Sequence, residues 1–151
     1  MTDPRKVPPD ALLSALAEKL KLDDRIKEPE WTKYLKAGIH RERPWQNDDW
    51  YYVRLASTLR KVYLNGPVGI SRLSEEYGGK VDRGSKRYHP AKGSRFIVRH
   101  MLQTLESLGY VRKDGTKGRV ISPQGQSLID KVSREVLQKL AEKEPSLAKY
   151  I

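Results

Sequence analysis

The stretch from residue 94 to residue 142 constrains the fold more than any other. It opens with Ser94, a helix N-cap residue. Behind it Ile97, Val98, Met101, Leu102, Leu105 and Leu108 recur at helical spacing. Gly109 marks the stop. Two β-prone runs, 110–113 and 119–121, then flank the turn sequence DGTKG, which predicts a hairpin. Ser122-Pro123 reads as the N-cap and first turn of a last helix over 123–142, with Leu128, Ile129, Val132, Val136, Leu137 and Leu140 as its apolar stripe. A helix, a short hairpin and a second helix in that order leave few architectures open.

The preceding residues narrow them further. Helical periodicity predicts a helix over 9–22 (Leu12, Leu13, Leu16, Ala17, Leu20) and a short one over 30–36 (Trp31, Tyr34, Leu35). The stretch 39–50 reads as loop, with Asn47 or Asp48 as N-cap of a helix over 49–64. Tyr52, Leu55, Ala56, Leu59, Val62 and Tyr63 form the apolar face of that helix. Arg54, Thr58, Lys61 and Asn65 form the polar one, flanked by Arg60. Asn65-Gly66-Pro67 ends it. A short helix over 70–77 is stopped by Gly78-Gly79, and 79–93 reads as a loop. Three helices followed by a hairpin is the order of a winged helix-turn-helix. The predicted fold is mainly α: a winged helix-turn-helix core with a small β-hairpin wing, N-terminal helices and a C-terminal helix. A single domain over 1–151 is expected, divided into an N-terminal helical extension (1–47), the core (48–122) and the last helix (123–142).

Charge points to the partner. The chain carries a formal net charge of +11. Residues 1–49 hold ten basic and ten acidic side chains, whereas residues 50–121 hold fifteen basic and five acidic. A solvated surface mixes signs; a one-sided block inside a folded region suggests a polyanion. Cysteine is absent, which removes disulfides and thiolate metal sites, and three scattered His form no metal site. No metal or other cofactor is expected. No nucleophile elbow, HExxH or phosphate-binding P-loop spacing occurs, so no enzymatic activity is expected. No apolar run long enough to span a membrane is present, and the opening MTDPRKVPPD lacks a signal-peptide core; a cytoplasmic protein is expected.

The densest basic stretch is 77–100, with seven Lys or Arg residues and one acid. Its glycines let the backbone approach a phosphate closely. Gly93 and Ser94 at the helix start, flanked by Lys92 and Arg95 with Arg99 one turn on, resemble an anion site. Lys80, Arg83, Gly84, Lys86, Arg87 and His89 make the loop a phosphate-contacting arm, mobile alone and ordered when bound. Arg54, Arg60, Lys61 and Arg72 add to it from the helices, and Lys113, Lys117 and Arg119 from the wing. Tyr88 and Trp45 are candidates for stacking on bases. Trp31, Trp50 and Tyr52 belong to the core, and His100 to the helix surface.

Longer motifs carry a resemblance. DWYYVRLASTLRKVYLNGPVGISRLSEEYGG (49–79), the RGS…H…KGS pattern (83–94), LQTLESLGYV, GRVISPQGQ and the N-terminal VPPDALLSALAEKLK…EPEWTKYLKAG…RERP block together resemble the small-subunit ribosomal protein family "nineteen e". Archaea and eukaryotes share that family and bacteria lack it; the short N-terminus looks archaeal. The resemblance covers essentially the whole chain. It implies a place in the head of the small ribosomal subunit, ribosomal RNA and neighbouring head proteins as partners, and a part in late maturation of that subunit. Arg54 and Arg60 match the family's helix motif; Arg83, Gly84, His89, Lys92, Gly93 and Ser94 match its loop motif. The chain is expected to be a monomer when free. The competing expectation is a dimeric winged-helix regulator of DNA, reading bases with Arg95, Arg99 and Gln103. A third is a protein-interaction module that binds no nucleic acid.

Overall fold

A computed structural model describes residues 3–151; Met1 and Thr2, which begin the expected extension, lie outside the described residues. The elements run α1 (Pro9–Lys21), α2 (Trp50–Asn65), α3 (Ile70–Glu76), β1 (Gly79–Arg83), β2 (Lys86–Ala91), α4 (Arg95–Ser107), β3 (Val111–Lys113), β4 (Arg119–Ile121) and α5 (Pro123–Lys143). Short 3₁₀ turns lie at Pro4–Lys6, Glu30–Lys33 and Pro145–Tyr150.

The core is a single cluster that draws on every α-helix. Leu12, Leu16 and Leu20 of α1 meet Leu55, Leu59 and Val62 of α2, Leu73 of α3, Met101, Leu102 and Leu105 of α4, and Ile129, Val132 and Leu137 of α5. Each fully buried aliphatic side chain contributes about 1.5–3 kcal/mol by leaving water. α2 is the hub, packed against α1, α4 and β4.

Local chemistry sets the element ends. The Ser94 side chain accepts a hydrogen bond from the Ile97 amide, and that of Ser122 one from Gly125. At the end of α4 the Gly109 amide donates to the Glu106 carbonyl and the Tyr110 amide to the Leu105 carbonyl. This paired closure needs the left-handed backbone that Gly109 adopts (φ +84°).

The winged-helix order is present. β3 and β4 pair antiparallel in register Val111↔Ile121, Arg112↔Val120, Lys113↔Arg119. Val68, just before α3, joins them: its amide donates to the Arg119 carbonyl at 3.0 Å, and the Arg119 amide returns the bond at 2.9 Å.

Residues 79–91 depart from expectation. They are an antiparallel hairpin inserted between α3 and α4, not a loop: Gly79 pairs with Ala91, Lys80 with Pro90, Val81 with His89 and Arg83 with Lys86, with an irregularity between Val81 and Arg83. Gly84-Ser85 is its two-residue connection. Gly84 has φ +76°, Ser85 has no positive φ, and the Gly84 amide donates to the Asp82 carboxylate at 2.9 Å. A two-residue connection of this sense follows the right-handed twist of the strands. The helix expected over 30–36 shrinks to the single 3₁₀ turn at Glu30–Lys33, and Tyr34 behind it is 82% exposed. The N-cap of α2 is Asp49 rather than Asn47 or Asp48; Asn47 instead takes a hydrogen bond from the Asp49 amide at 2.9 Å.

Candidate nucleic-acid interface

The middle of α2 presents a cation to the surface through an aromatic frame. The Arg54 guanidinium carbon lies 3.8 Å from the centroid of the Tyr77 ring and 4.9 Å from that of Trp45. Tyr77, at the end of α3, is tied to α2 by a 2.7 Å hydrogen bond between its hydroxyl and Ser57 Oγ. Trp45 lies flat on Trp50 (centroids 4.4 Å apart, planes within 1°), and the Trp50 indole donates to the Thr32 carbonyl at 3.2 Å. Trp45 is therefore not a free stacking surface as expected, because Trp50 and Arg54 already occupy it. Nor does Arg54 stand in open solvent on a polar stripe; it is half-buried.

Among the described residues Arg54 pairs with no carboxylate. Burial pushes its guanidinium below the ordinary arginine value, and the nearby Arg41 charge adds to this. It stays protonated even so. His40 borders the same region. A side chain on Gly79 would come within 2.8 Å of its ring, so Gly79 leaves it room. Burial lowers the His40 pKa, and Arg41, Arg54 and Lys36 press it down further. Its Nδ1 and the Trp45 indole nitrogen are buried without a partner. The sequence reading missed His40, Arg41 and Tyr77. The first two lie in a segment whose charges cancel on paper, and Tyr77 looked like a helix end.

The other expected residues divide into free and committed cations. Of the fifteen Lys and Arg in 50–121, three are ion-paired among the described residues: Lys61 with Glu76 (2.9 Å), Lys92 with Glu75 (3.4 Å) and Arg119 with Glu106 (3.2 Å). The Arg119 side chain is only 13% exposed, so it braces the wing against α4 and does not reach outward. Arg60 is half-buried with an unpartnered Nε. Arg72, Lys80, Arg83, Lys86, Arg87, Arg95, Arg99, Lys113 and Lys117 are exposed and have no ion pair. His89 and Tyr88 lie exposed on β2.

The start of α4 is less open than its sequence suggests. The Gly93 amide donates to the Ser74 carbonyl at 2.7 Å and the Ser94 amide to the Ala37 carbonyl at 2.9 Å. Those two donors are consumed by the fold, which leaves an anion here to the side chains of Lys92 and Arg95. Gly93 is a packing glycine: a Cβ there would meet the Tyr77 carbonyl at 2.8 Å. His100, expected on the helix surface, is half-buried. Its Nε2 and the Tyr51 hydroxyl share a 2.8 Å hydrogen bond, its ring meets Trp31 edge-on, and burial lowers its pKa.

The sequence profile of the family "Ribosomal protein S19e" matches residues 3–139. The chain belongs to that family. It is 54% identical over 151 residues to the small ribosomal subunit protein eS19 of Thermoplasma acidophilum, with all of both chains covered. The eS19 protein of Aeropyrum pernix is 41% identical, again over the whole of both chains. The eS19A protein of Schizosaccharomyces pombe is 38% identical over 130 residues, 86% of this chain and 90% of that one. The S19e relatives therefore span archaea and a eukaryote, as the motifs suggested.

Proposed function

We propose that this S19e protein is a structural constituent of the small ribosomal subunit, seated in its head, where it binds ribosomal RNA and takes part in late maturation of the subunit. Family membership supports the ribosomal placement. RNA binding is carried by one observation: twelve of the fifteen cations in 50–121 have no ion-pair partner among the described residues. Charge left unpaired at that density is stabilised when phosphates replace the missing anions.

The proposed surface has three parts. The framed Arg54, with Arg60 and Arg72 nearby in sequence and Lys61 held by Glu76, forms the first. The β1–β2 hairpin forms the second, through Lys80, Arg83, Lys86, Arg87 and His89, with Gly84 at its turn. The α4 face forms the third, from Lys92, Gly93, Ser94, Arg95 and Arg99 to the wing residues Lys113, Lys117 and Arg119; in this last group Gly93 and Arg119 act by holding shape, and Lys92 would exchange its exposed pair with Glu75 for a phosphate. Such a surface suits folded RNA, which proteins contact largely through phosphate and 2′-hydroxyl groups.

Sedimentation of a native cell extract in moderate and then high salt tests the reading. The protein should travel with the small subunit and remain there. Recovery at the top of the gradient as a free dimer that selects a duplex DNA sequence would overturn it in favour of a transcriptional regulator. Depletion should leave late precursors of the small-subunit RNA unprocessed.

A further inference from the structure

The only phenylalanine of the chain is on its surface. Phe96, the second residue of α4, is 57% exposed, while Ile97, Val98, Met101, Leu102 and Leu105 supply the buried side of that helix. The core does not need this ring, and a polar residue would cost less to leave in water.

The ring is nevertheless held. Trp31 meets it edge-on at 5.0 Å between centroids. Trp31 is itself met by His100 at 4.9 Å, and His100 is hydrogen-bonded to the buried Tyr51. A chain of aromatic contacts thus runs from the core to an exposed ring.

Cations flank Phe96 along the helix. Arg99 stands three residues on, which on a helix places the two side by side. Arg99 is exposed and unpaired, and Arg95 makes only a 3.3 Å hydrogen bond to Ser71. Gln103 continues the same face. α4 itself exposes no aliphatic residue on this face; Tyr34 and Ile39 are exposed on the neighbouring segment, whose Ala37 carbonyl accepts from the Ser94 amide. An exposed ring with Arg99 one turn on, and with Arg95, just before it, turned towards Ser71, matches a base stacked on the ring, its flanking phosphates on the cations.

We propose that Phe96 is a stacking platform for an unpaired nucleobase of the bound RNA, with Arg95 and Arg99 on the adjoining phosphates. This rests on the RNA-binding reading and sharpens it: the RNA facing α4 is a bulge, loop or junction, not an uninterrupted helix.

The test uses the full chain and two RNA hairpins, one fully paired and one with a single 2-aminopurine bulge. The wild-type protein should favour the bulged RNA and quench its fluorescence. Phe96→Ala should weaken bulged-RNA binding about ten- to a hundredfold and leave paired-RNA binding unchanged. Its salt slope should not move, since no phosphate contact is lost. Phe96→Tyr should behave as wild type. Phe96→Leu, which keeps the apolar bulk without the π face, should resemble Phe96→Ala; if it binds as wild type, stacking is wrong. Unfolding curves confirm that each variant is folded. Equal, salt-steep binding of both RNAs by wild type and Phe96→Ala overturns the stacking proposal and leaves RNA binding intact. Binding of neither RNA by the wild type overturns both. Unchanged RNA binding with loss of Phe96→Ala from assembled subunits would make the ring a protein anchor instead.

Discussion

Replacing Arg54 with Gln removes a charge that the fold does not neutralise, so stability and binding should respond very differently. The guanidinium gains from two ring faces, at 3.8 and 4.9 Å. A cation–π contact contributes about 0.5–1 kcal/mol when exposed and about 2 when desolvated. Against that stands the cost of taking an arginine partly out of water with no carboxylate beside it. These terms oppose each other, and Arg54→Gln should cost about 1 kcal/mol or less in denaturant unfolding. A charge-assisted hydrogen bond to a phosphate contributes about 1.5–3 kcal/mol, so RNA affinity should fall roughly 10- to 150-fold. The slope of log affinity against log salt should shrink by about 0.7 to 0.9 for the one lost contact. Arg54→Lys should recover the slope but not the full affinity, because an ammonium cannot lie flat between two rings. The reasoning fails if Arg54→Gln unfolds the protein by more than about 3 kcal/mol, or if it binds RNA with an unchanged slope.

Three further outcomes follow from the packing. Gly125→Ala should destabilise the protein by about 1–3 kcal/mol in thermal or denaturant unfolding, although the same change in an open helix is favourable; its Cβ would lie 2.3 Å from the Tyr110 carbonyl oxygen. Stability should be level above the ordinary histidine value of 6.5 and fall as pH drops through and below it: His40 and His100 both have folded pKa values lowered, chiefly by burial, so the unfolded chain binds more protons in acid. His100→Gln should flatten that profile in pH-dependent denaturation. The double variant Lys86→Ala/Arg87→Ala, on strands open to solvent, should change stability by no more than about 0.5 kcal/mol and still reduce the salt slope of RNA binding.

The helices of this fold were legible because each buries one stripe. α4 repeats Ile97, Val98, Met101, Leu102 and Leu105 and is capped by Ser94 and Gly109. The wing was legible from its DGTKG turn. The β1–β2 hairpin was not, because no residue of either strand is fully buried. Without a buried side, Lys-Val-Asp-Arg and Lys-Arg-Tyr-His-Pro-Ala show no apolar alternation, and Pro90 argues further against a strand. Gly84, which makes the turn at positive φ, reads in the sequence only as giving the backbone access to a phosphate. The Arg54 frame was hidden for another reason. Its helix position marks it as polar, but its surroundings come from Trp45 and Tyr77, which periodicity along one helix cannot bring in. The same holds for His100, which lies on a polar stripe until Trp31 and Tyr51 close over it. The basic block itself was legible; which of its cations were already committed required partners such as Glu106, thirteen residues from Arg119.

α4 joins two basic hairpins, β1–β2 at its start and β3–β4 at its end. Thirteen residues at about 1.5 Å each make it roughly 20 Å long. The helix is a rigid spacer whose ends are fixed by Ser94 and by the Gly109 closure, so it sets how far apart the two hairpins leave it. On the proposed RNA-binding reading, an RNA whose phosphate ridges match that spacing would engage both hairpins and gain from two linked contacts, and one with a different spacing would engage a single hairpin. Selection by distance would need no base to be identified, and because α4 is anchored in the core and the wing is bridged to Val68, the spacing is fixed by the fold.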